Sequence, residues 1–139
     1  MSVDCFLDTN VLVYAAAGRG AEEAKRKRAL ELIDSEDFGL SAQVLQEFYV
    51  TVTRKIERGL SAKRALEWME QLEAFPCLAI DSSLVTIAVE ISERYQISYW
   101  DGAIIAAAEA LGAETLYSED LNHGQQYGSV QARNPFGVG

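Results

Sequence analysis

At 139 residues, 49% hydrophobic and 24% charged, the chain fits one globular unit over 1–139 that buries roughly two-thirds of its unfolded surface. No stretch reaches the roughly 18–20 uncharged apolar residues of a membrane span, and no basic start or small-residue cleavage site marks a leader, so a cytoplasmic protein is expected. A formal charge of −9 argues against a surface that is basic throughout, the usual footprint of nucleic-acid binding.

In chain order, the first expected strand is 3–8 (VDCFLD), an apolar run that ends on Asp8. A helical pattern follows over 21–36, with Ala29, Leu30 and Ile33 at helical spacing, then a short strand at 38–41 (FGLS). Residues 42–58 read as one helix with Leu45, Phe48, Val52 and Ile56 on a stripe. Ser61 then N-caps a helix over 62–74 that carries Leu66, Met69, Leu72 and Trp68. A strand at 77–80 (CLAI) leads to a helix over 83–96 with Leu84, Ile87, Ala88 and Ile91. The helix over 99–111 carries Ile104, Ile105, Ala108 and Leu111, and strands follow at 115–118 (TLYS) and near 130–133. The tail NPFGVG is turn-like and expected to fray after Phe136. Strands that alternate with helices indicate an α/β fold with a parallel sheet covered on both faces.

Cys5 and Cys77 match no metal spacing and lie in short apolar runs, so both are expected as buried, reduced thiols. His123 is expected in a loop with no special role. The charge distribution is uneven: ten of the 12 Lys and Arg residues lie between Arg19 and Arg64. The runs KRKR (25–28) and RKIER (54–58) form either a local basic face on an acidic body or ordinary solvated helix faces.

Four acids stand in positions that need a reason. Burying an ionised carboxylate without partners is expensive. Asp8 ends a strand, and it either caps the helix that follows, meets water or holds a cation. Asp120 follows the strand at 115–118. In α/β sheets ligands gather beyond the carboxyl ends of the strands, so if these two strands are neighbours, about 4.8 Å apart, both carboxylates reach one ion. Asp101 shares a helical face with Ile104, Ile105, Ala108 and Leu111, which turns it inward, although Ser98 and Asp101 also fit a variant capping box. Glu47 lies about 100° from Phe48 around its helix, the setting of an ordinary exposed glutamate. Taken singly, each acid reads as structural.

Taken in order, the set LDTN after a strand, a glutamate in the helix after a short strand, YWDGAIIAAA opening a helix and YSEDLNHGQ after the last main strand resembles the PIN-domain nucleases. Within them it resembles the VapC-like ribonuclease toxins of toxin–antitoxin pairs. The resemblance runs over essentially the whole chain to ARNPF, with Gly102 where the family commonly has alanine. It implies a PIN-like three-layer domain with a central parallel sheet, the first strand central, flanked by helices. It also implies an acidic cluster of Asp8, Glu47, Asp101 and Asp120, with Asp8, Asp101 and Asp120 on a metal ion and Asp8 the central ligand. Thr9, Asn10 and Ser118 would support that cluster, and Glu119 is a second acid beside Asp120.

Hard cations such as Mg²⁺ or Mn²⁺ suit oxygen ligands and relieve repulsion among carboxylates, and a bound ion activates water for in-line attack on phosphorus. Family precedent implies RNA cleavage to a 5′-phosphate and a 3′-hydroxyl. It also implies a homodimer and a small antitoxin that directs a basic or aromatic side chain toward the acids. Protein contacts are expected on the helices over 42–58 and 62–74. With the ion bound, the basic runs could hold RNA backbone at the rim. Of Tyr49, Tyr99 and Trp100, which could stack on bases, at least two are expected to pack on the core. A haloacid-dehalogenase-type phosphatase would place a second aspartate two positions after Asp8, where this chain has Asn10. A protein-interaction module with helix-capping acids is the non-catalytic alternative.

Overall fold

The computed structural model describes residues 2–57 and 59–137. Six strands form one sheet: β1 (Cys5–Leu7), β2 (Phe38–Ser41), β3 (Cys77–Leu78), β4 (Thr115–Tyr117), β5 (Gln126–Tyr127) and β6 (Val130–Arg133). Their spatial order is β3-β2-β1-β4-β6-β5. All pairings are parallel except β5–β6 at one edge, a hairpin strand too short to be legible as an apolar run. From β1 the chain steps outward to β2 and β3 on one side, then returns to place β4 on the other. This reversal puts the topological switch point at the carboxyl ends of β1 and β4, the place where α/β sheets bind ligands in the crevice between diverging connections.

The helices are α1 (Thr9–Ala17), α2 (Glu23–Ser35), α3 (Ala42–Val50), α4 (Ala62–Leu72), α5 (Ser82–Tyr95) and α6 (Tyr99–Ala110). Helix α1 packs on α2 and α3, α3 packs on α4, and α5 pairs with α6, which lies along β2, β4 and β6. The result is the expected three-layer α/β architecture with a mostly parallel sheet. No helix among the described residues is long and apolar enough to cross a membrane.

Local chemistry sets the boundaries. Asp8, Ser41, Ser61, Asp81 and Ser98 cap α1, α3, α4, α5 and α6, each accepting a backbone N–H that the first turn leaves free. Gly112, at φ 75°, turns the chain out of α6 in a conformation that side chains with a Cβ resist. The core joins Phe6, Leu7, Phe38, Leu40 and Leu116 of the sheet to Val11, Leu12, Val44, Phe48 and Ile105 of the helices.

Several expectations change. The helix read over 42–58 is α-helical only to Val50 and continues as a π-helical turn over Thr51–Lys55. There the Thr53 hydroxyl donates to the Tyr49 carbonyl at 2.6 Å, a back-bond that bends a helix. Arg58, the last residue of the second basic run, lies outside the described residues, as do residues 138–139 of the tail. Phe136 packs edge-on against Tyr14.

Cys5 is buried but Cys77 is exposed, because β3 is a two-residue edge strand with cover on one side only. Ile87 and Leu66 are exposed instead of buried, and in α2 Leu32 joins the expected Ala29 as fully buried while Leu30 and Ile33 are only half-buried. Tyr49 and Tyr99 pack on the core as expected, and Trp100 is 65% exposed.

Candidate active site

Strand register places two of the four acids. Leu7 pairs with Tyr117, and the Asp8 N–H donates to the Tyr117 carbonyl at 3.0 Å, so Asp8 and Ser118 emerge side by side from neighbouring strands. Asp8 is only 5% exposed. Its Oδ1 accepts from the Thr9 N–H at 2.7 Å and its Oδ2 from the Ser118 hydroxyl at 2.8 Å. Asp8 is therefore the cap of α1 and also the inmost acid of the crevice; the two readings of this residue are compatible.

Ser118 is the hub. A serine hydroxyl has one proton to give and two lone pairs. The proton goes to Asp8, and the oxygen accepts from the Asp120 N–H at 3.1 Å and from Asn10 Nδ2 at 3.4 Å. Every valence is used, so the hydroxyl cannot rotate away. Asn10 Nδ2 also donates to Asp120 Oδ2 at 3.2 Å, and Asn10 Oδ1 accepts from the Glu119 N–H at 3.4 Å. The first turn of α1 thus ties down the loop after β4 and fixes where Asp120 points.

Glu119 goes elsewhere. Its carboxylate accepts from the Tyr14 hydroxyl and from Lys25 Nζ at 3.0 Å, and Lys25 lies over the Tyr14 ring, 4.9 Å from its centroid. Two adjacent acids are thereby separated, with Glu119 engaged toward α1 and α2 and Asp120 toward Asp8.

Glu47 and Asp101 are carried by α3 and α6. Both are half-buried. The Ser98 hydroxyl accepts from the Asp101 N–H at 3.0 Å, which is half of the expected capping box. Gln43, one turn before Glu47 and 6% exposed, donates from Nε2 to Glu47 Oε1 at 3.0 Å and to the Trp100 carbonyl at 3.2 Å. Sequence reading missed this glutamine. Its four-residue spacing from Glu47 was a visible signal, but its second partner lies 57 residues away.

The electrostatics couple the four acids. Burial pushes the Asp8 carboxyl up to about 7 from an ordinary 3.8, and the charges of Asp120 and Glu47 add to this, while the bonds from Ser118 and Thr9 offset part of it. Glu47 is raised by burial and by the charges of Asp101 and Asp120, with the Gln43 bond and Lys55 opposing. Asp101 is raised by burial and by Asp120, with Ser98 opposing. Asp120 thus bears on all three of the others.

The chemistry of the donor set fits a hard divalent cation. The converging side chains offer only oxygen, and Thr9 Oγ1, beside Asp8, is the one buried side-chain polar atom without a hydrogen-bond partner among the described residues. Direct ligation by Asp8, Asp101 and Asp120 together is not what the side chains display. Among the described residues no three acidic, histidine or cysteine side chains are close enough to enclose an ion. Like charges hold such tips apart. The arrangement suits a largely hydrated ion, since Mg²⁺ usually keeps several waters and takes only one or two carboxylates.

His123 takes no part: its Nδ1 accepts from the Asn134 N–H at 3.0 Å in a surface loop. The first basic run is largely engaged within the molecule, Lys25 with Glu119, Arg26 with Glu23, and Arg28 with Glu31 and the Pro135 carbonyl. Its use at the rim would require breaking those contacts.

Four acids on the carboxyl ends and flanking helices of a sheet in this strand order invite comparison with known folds, and the PIN domain family model matches residues 5–127. The chain belongs to the PIN-domain family. Among solved structures, a toxin–antitoxin complex from Klebsiella pneumoniae is similar to this PIN domain with a TM-score of 0.72 at 16% identity, covering 97% of this chain and 100% of that one. FitAB bound to the IR36 DNA fragment gives 0.66 at 24% identity, covering 97% of each chain. VapC20 from Mycobacterium tuberculosis, a sarcin–ricin loop cleaving toxin, gives 0.66 at 20% identity, covering 83% of this chain and 88% of that one. At these identities the likeness is one of fold. No curated protein sequence matches this PIN domain significantly.

Proposed function

We propose that this PIN domain is a metal-dependent endoribonuclease, the toxin of a toxin–antitoxin pair. What supports the reading most is that Asp8, Glu47, Asp101 and Asp120 lie within electrostatic reach of one another, with Asp8, Glu47 and Asp101 each raised in pKa by burial and by the charge of Asp120. Carboxylates whose ionisation is strained in this way are a mark of functional sites. Asp8 and Asp120 would hold Mg²⁺ or Mn²⁺ from the β1 and β4 side, and Asp101 and Glu47 would complete its surroundings through water. When bound, the ion supplies a nucleophile at neutral pH and charge stabilisation at phosphorus.

The chain's own residues do the remaining work. Ser118 and the Thr9 N–H hold Asp8 in one orientation, Asn10 fixes Asp120 beside it, and Ser98 caps the helix that presents Asp101. Asn10, bonded to Asp120 and Ser118, occupies the place where a haloacid-dehalogenase-type phosphatase has its acid–base aspartate, which disfavours that chemistry.

The partners implied are an RNA substrate, a small antitoxin and a second copy of the chain. An apolar groove of about 1090 Å³ between α2 and α4, lined by Leu30, Ile33, Trp68, Leu72 and Phe75, is suited to a partner segment. Ile80, Val85, Val89 and Trp100 leave a second apolar area exposed around α5, outside the two helices named from sequence.

The test is cleavage of fluorogenic and folded RNAs with Mg²⁺ or Mn²⁺, comparing wild type with Asp8→Asn and Asp120→Asn, with and without chelator. Activity lost by more than about 100-fold in either variant and on chelation supports the nuclease. A folded wild type that binds Mn²⁺ and cleaves none of these RNAs identifies a protein-interaction module instead.

A further inference from the structure

Gln43 belongs to none of the four acidic positions, yet it is more buried than Glu47 or Asp101 and touches the elements that carry both. We infer that Gln43 is a positioning residue of the site: its amide clamps Glu47 toward the crevice and locks α3 to the first turn of α6, so that Glu47 and Asp101 keep a fixed spacing. The inference deepens the proposed nuclease reading and rests on it for the consequence in catalysis.

The chemistry admits one orientation. Both partners of the side-chain amide, a carboxylate oxygen at 3.0 Å and a peptide carbonyl at 3.2 Å, are acceptors, so the NH₂ group faces them and both of its protons are used. Glu47 lies off the apolar stripe of α3, and without this donor nothing on its own helix holds it inward; a long, half-buried glutamate gains rotamer freedom and hydration by swinging out. Lys55 is the charged group that favours ionised Glu47, and it sits on the π-helical turn beyond Val50, farther along the same segment. The Trp100 carbonyl accepts from Gln43 immediately before Asp101 in the chain, so the second bond acts on the backbone that aims Asp101.

An isosteric carboxylate at position 43 inverts the contact. Gln43→Glu puts two acceptors opposite an acceptor and repels Glu47, whereas Gln43→Leu deletes the donor and keeps most of the volume. A residue that acts through Glu47 also loses its effect once Glu47 is removed, because such pairs are non-additive.

The experiment takes the full chain as wild type, Gln43→Leu, Gln43→Glu, Glu47→Gln and Gln43→Leu/Glu47→Gln. It reads steady-state RNA cleavage with Mn²⁺ for kcat and KM, thermal stability, and the Glu47 conformation in metal-free crystals of wild type and Gln43→Leu. The expected result is a kcat lowered about 5- to 30-fold in Gln43→Leu and more in Gln43→Glu, with KM changed less than about two-fold. In the Glu47→Gln background, Gln43→Leu then lowers kcat less than about two-fold further. Glu47 points to the crevice in wild-type crystals and to solvent in Gln43→Leu.

Equal losses in both backgrounds overturn the inference in favour of a purely structural glutamine, as does a Glu47 that stays in place in Gln43→Leu. If wild type cleaves no RNA, the nuclease reading fails while the crystals still decide whether Gln43 positions Glu47.

Discussion

Asp8→Asn separates what the site costs in stability from what it does. The folded chain holds the Asp8 proton up to about pH 7, whereas the unfolded chain releases it near 3.8. Between those values the native state binds more protons than the unfolded state, so this group makes stability fall as pH rises from about 4 to about 7. At about 1.4 kcal/mol per unit the ionised Asp8 costs on the order of 4 kcal/mol above pH 8.

Asparagine removes that charge but cannot accept from both Thr9 N–H and the Ser118 hydroxyl, and the Ser118 lone pairs are already taken by Asp120 and Asn10. That mismatch costs roughly 1–3 kcal/mol at every pH. Asp8→Asn should therefore be less stable than wild type by about 1–3 kcal/mol at pH 4 and more stable by a similar amount at pH 8.5, a swing on the order of 4 kcal/mol. Urea unfolding of both proteins from pH 4 to 8.5 with chelator present gives the difference directly and cancels all groups the two share. Mg²⁺ added at pH 8.5 should stabilise wild type and leave Asp8→Asn unchanged. A stability difference that varies by less than about 1 kcal/mol over this range refutes the raised Asp8 carboxyl and the strain assigned to it.

Ser118→Ala removes the donor to Asp8 and the acceptor for Asp120 and Asn10, so stability should drop by about 1–3 kcal/mol. Because the Ser118 bond holds the Asp8 pKa down, the activity–pH profile should move to higher pH; an unmoved or acid-shifted profile contradicts this role. Gly102→Ala would put a Cβ 2.6 Å from the Ala88 carbonyl oxygen and 3.0 Å from Ser92 Cβ. Separation of α5 from α6 should cost about 1–3 kcal/mol, a fall in Tm of several degrees, and an unchanged Tm would show that the two helices have room to spare.

The sequence discloses what depends on near neighbours and conceals what depends on distant ones. Asp8, Ser61 and Ser98 announce helix starts because a cap acts within three residues, and Asp8 and Asp120 are joined by the expectation that their strands are adjacent. The inward turn of Glu47 was not legible, because it depends on Gln43 and the far Trp100 carbonyl. The end of α3 was hidden for a different reason: its apolar stripe continues through Val52, so the spacing carries no trace of the change from α to π winding. The exposure of Cys77 and Ile87 escaped because an apolar residue in a short strand or helix looks the same whether its face is covered or open.

Seven consecutive residues of α6, Gly102–Ala108, are buried, so this helix is enclosed on every side as a core strand would be. Asp101 rides at its crevice end on an axle that cannot tilt without prying apart the sheet and α5. A charge mounted this way is preorganised: it needs no reorganisation when a reacting group arrives. Adaptation to differently shaped guests then falls to the exposed rim, where the Trp100 ring and, past the buried Val52, Arg54 and Lys55 face solvent.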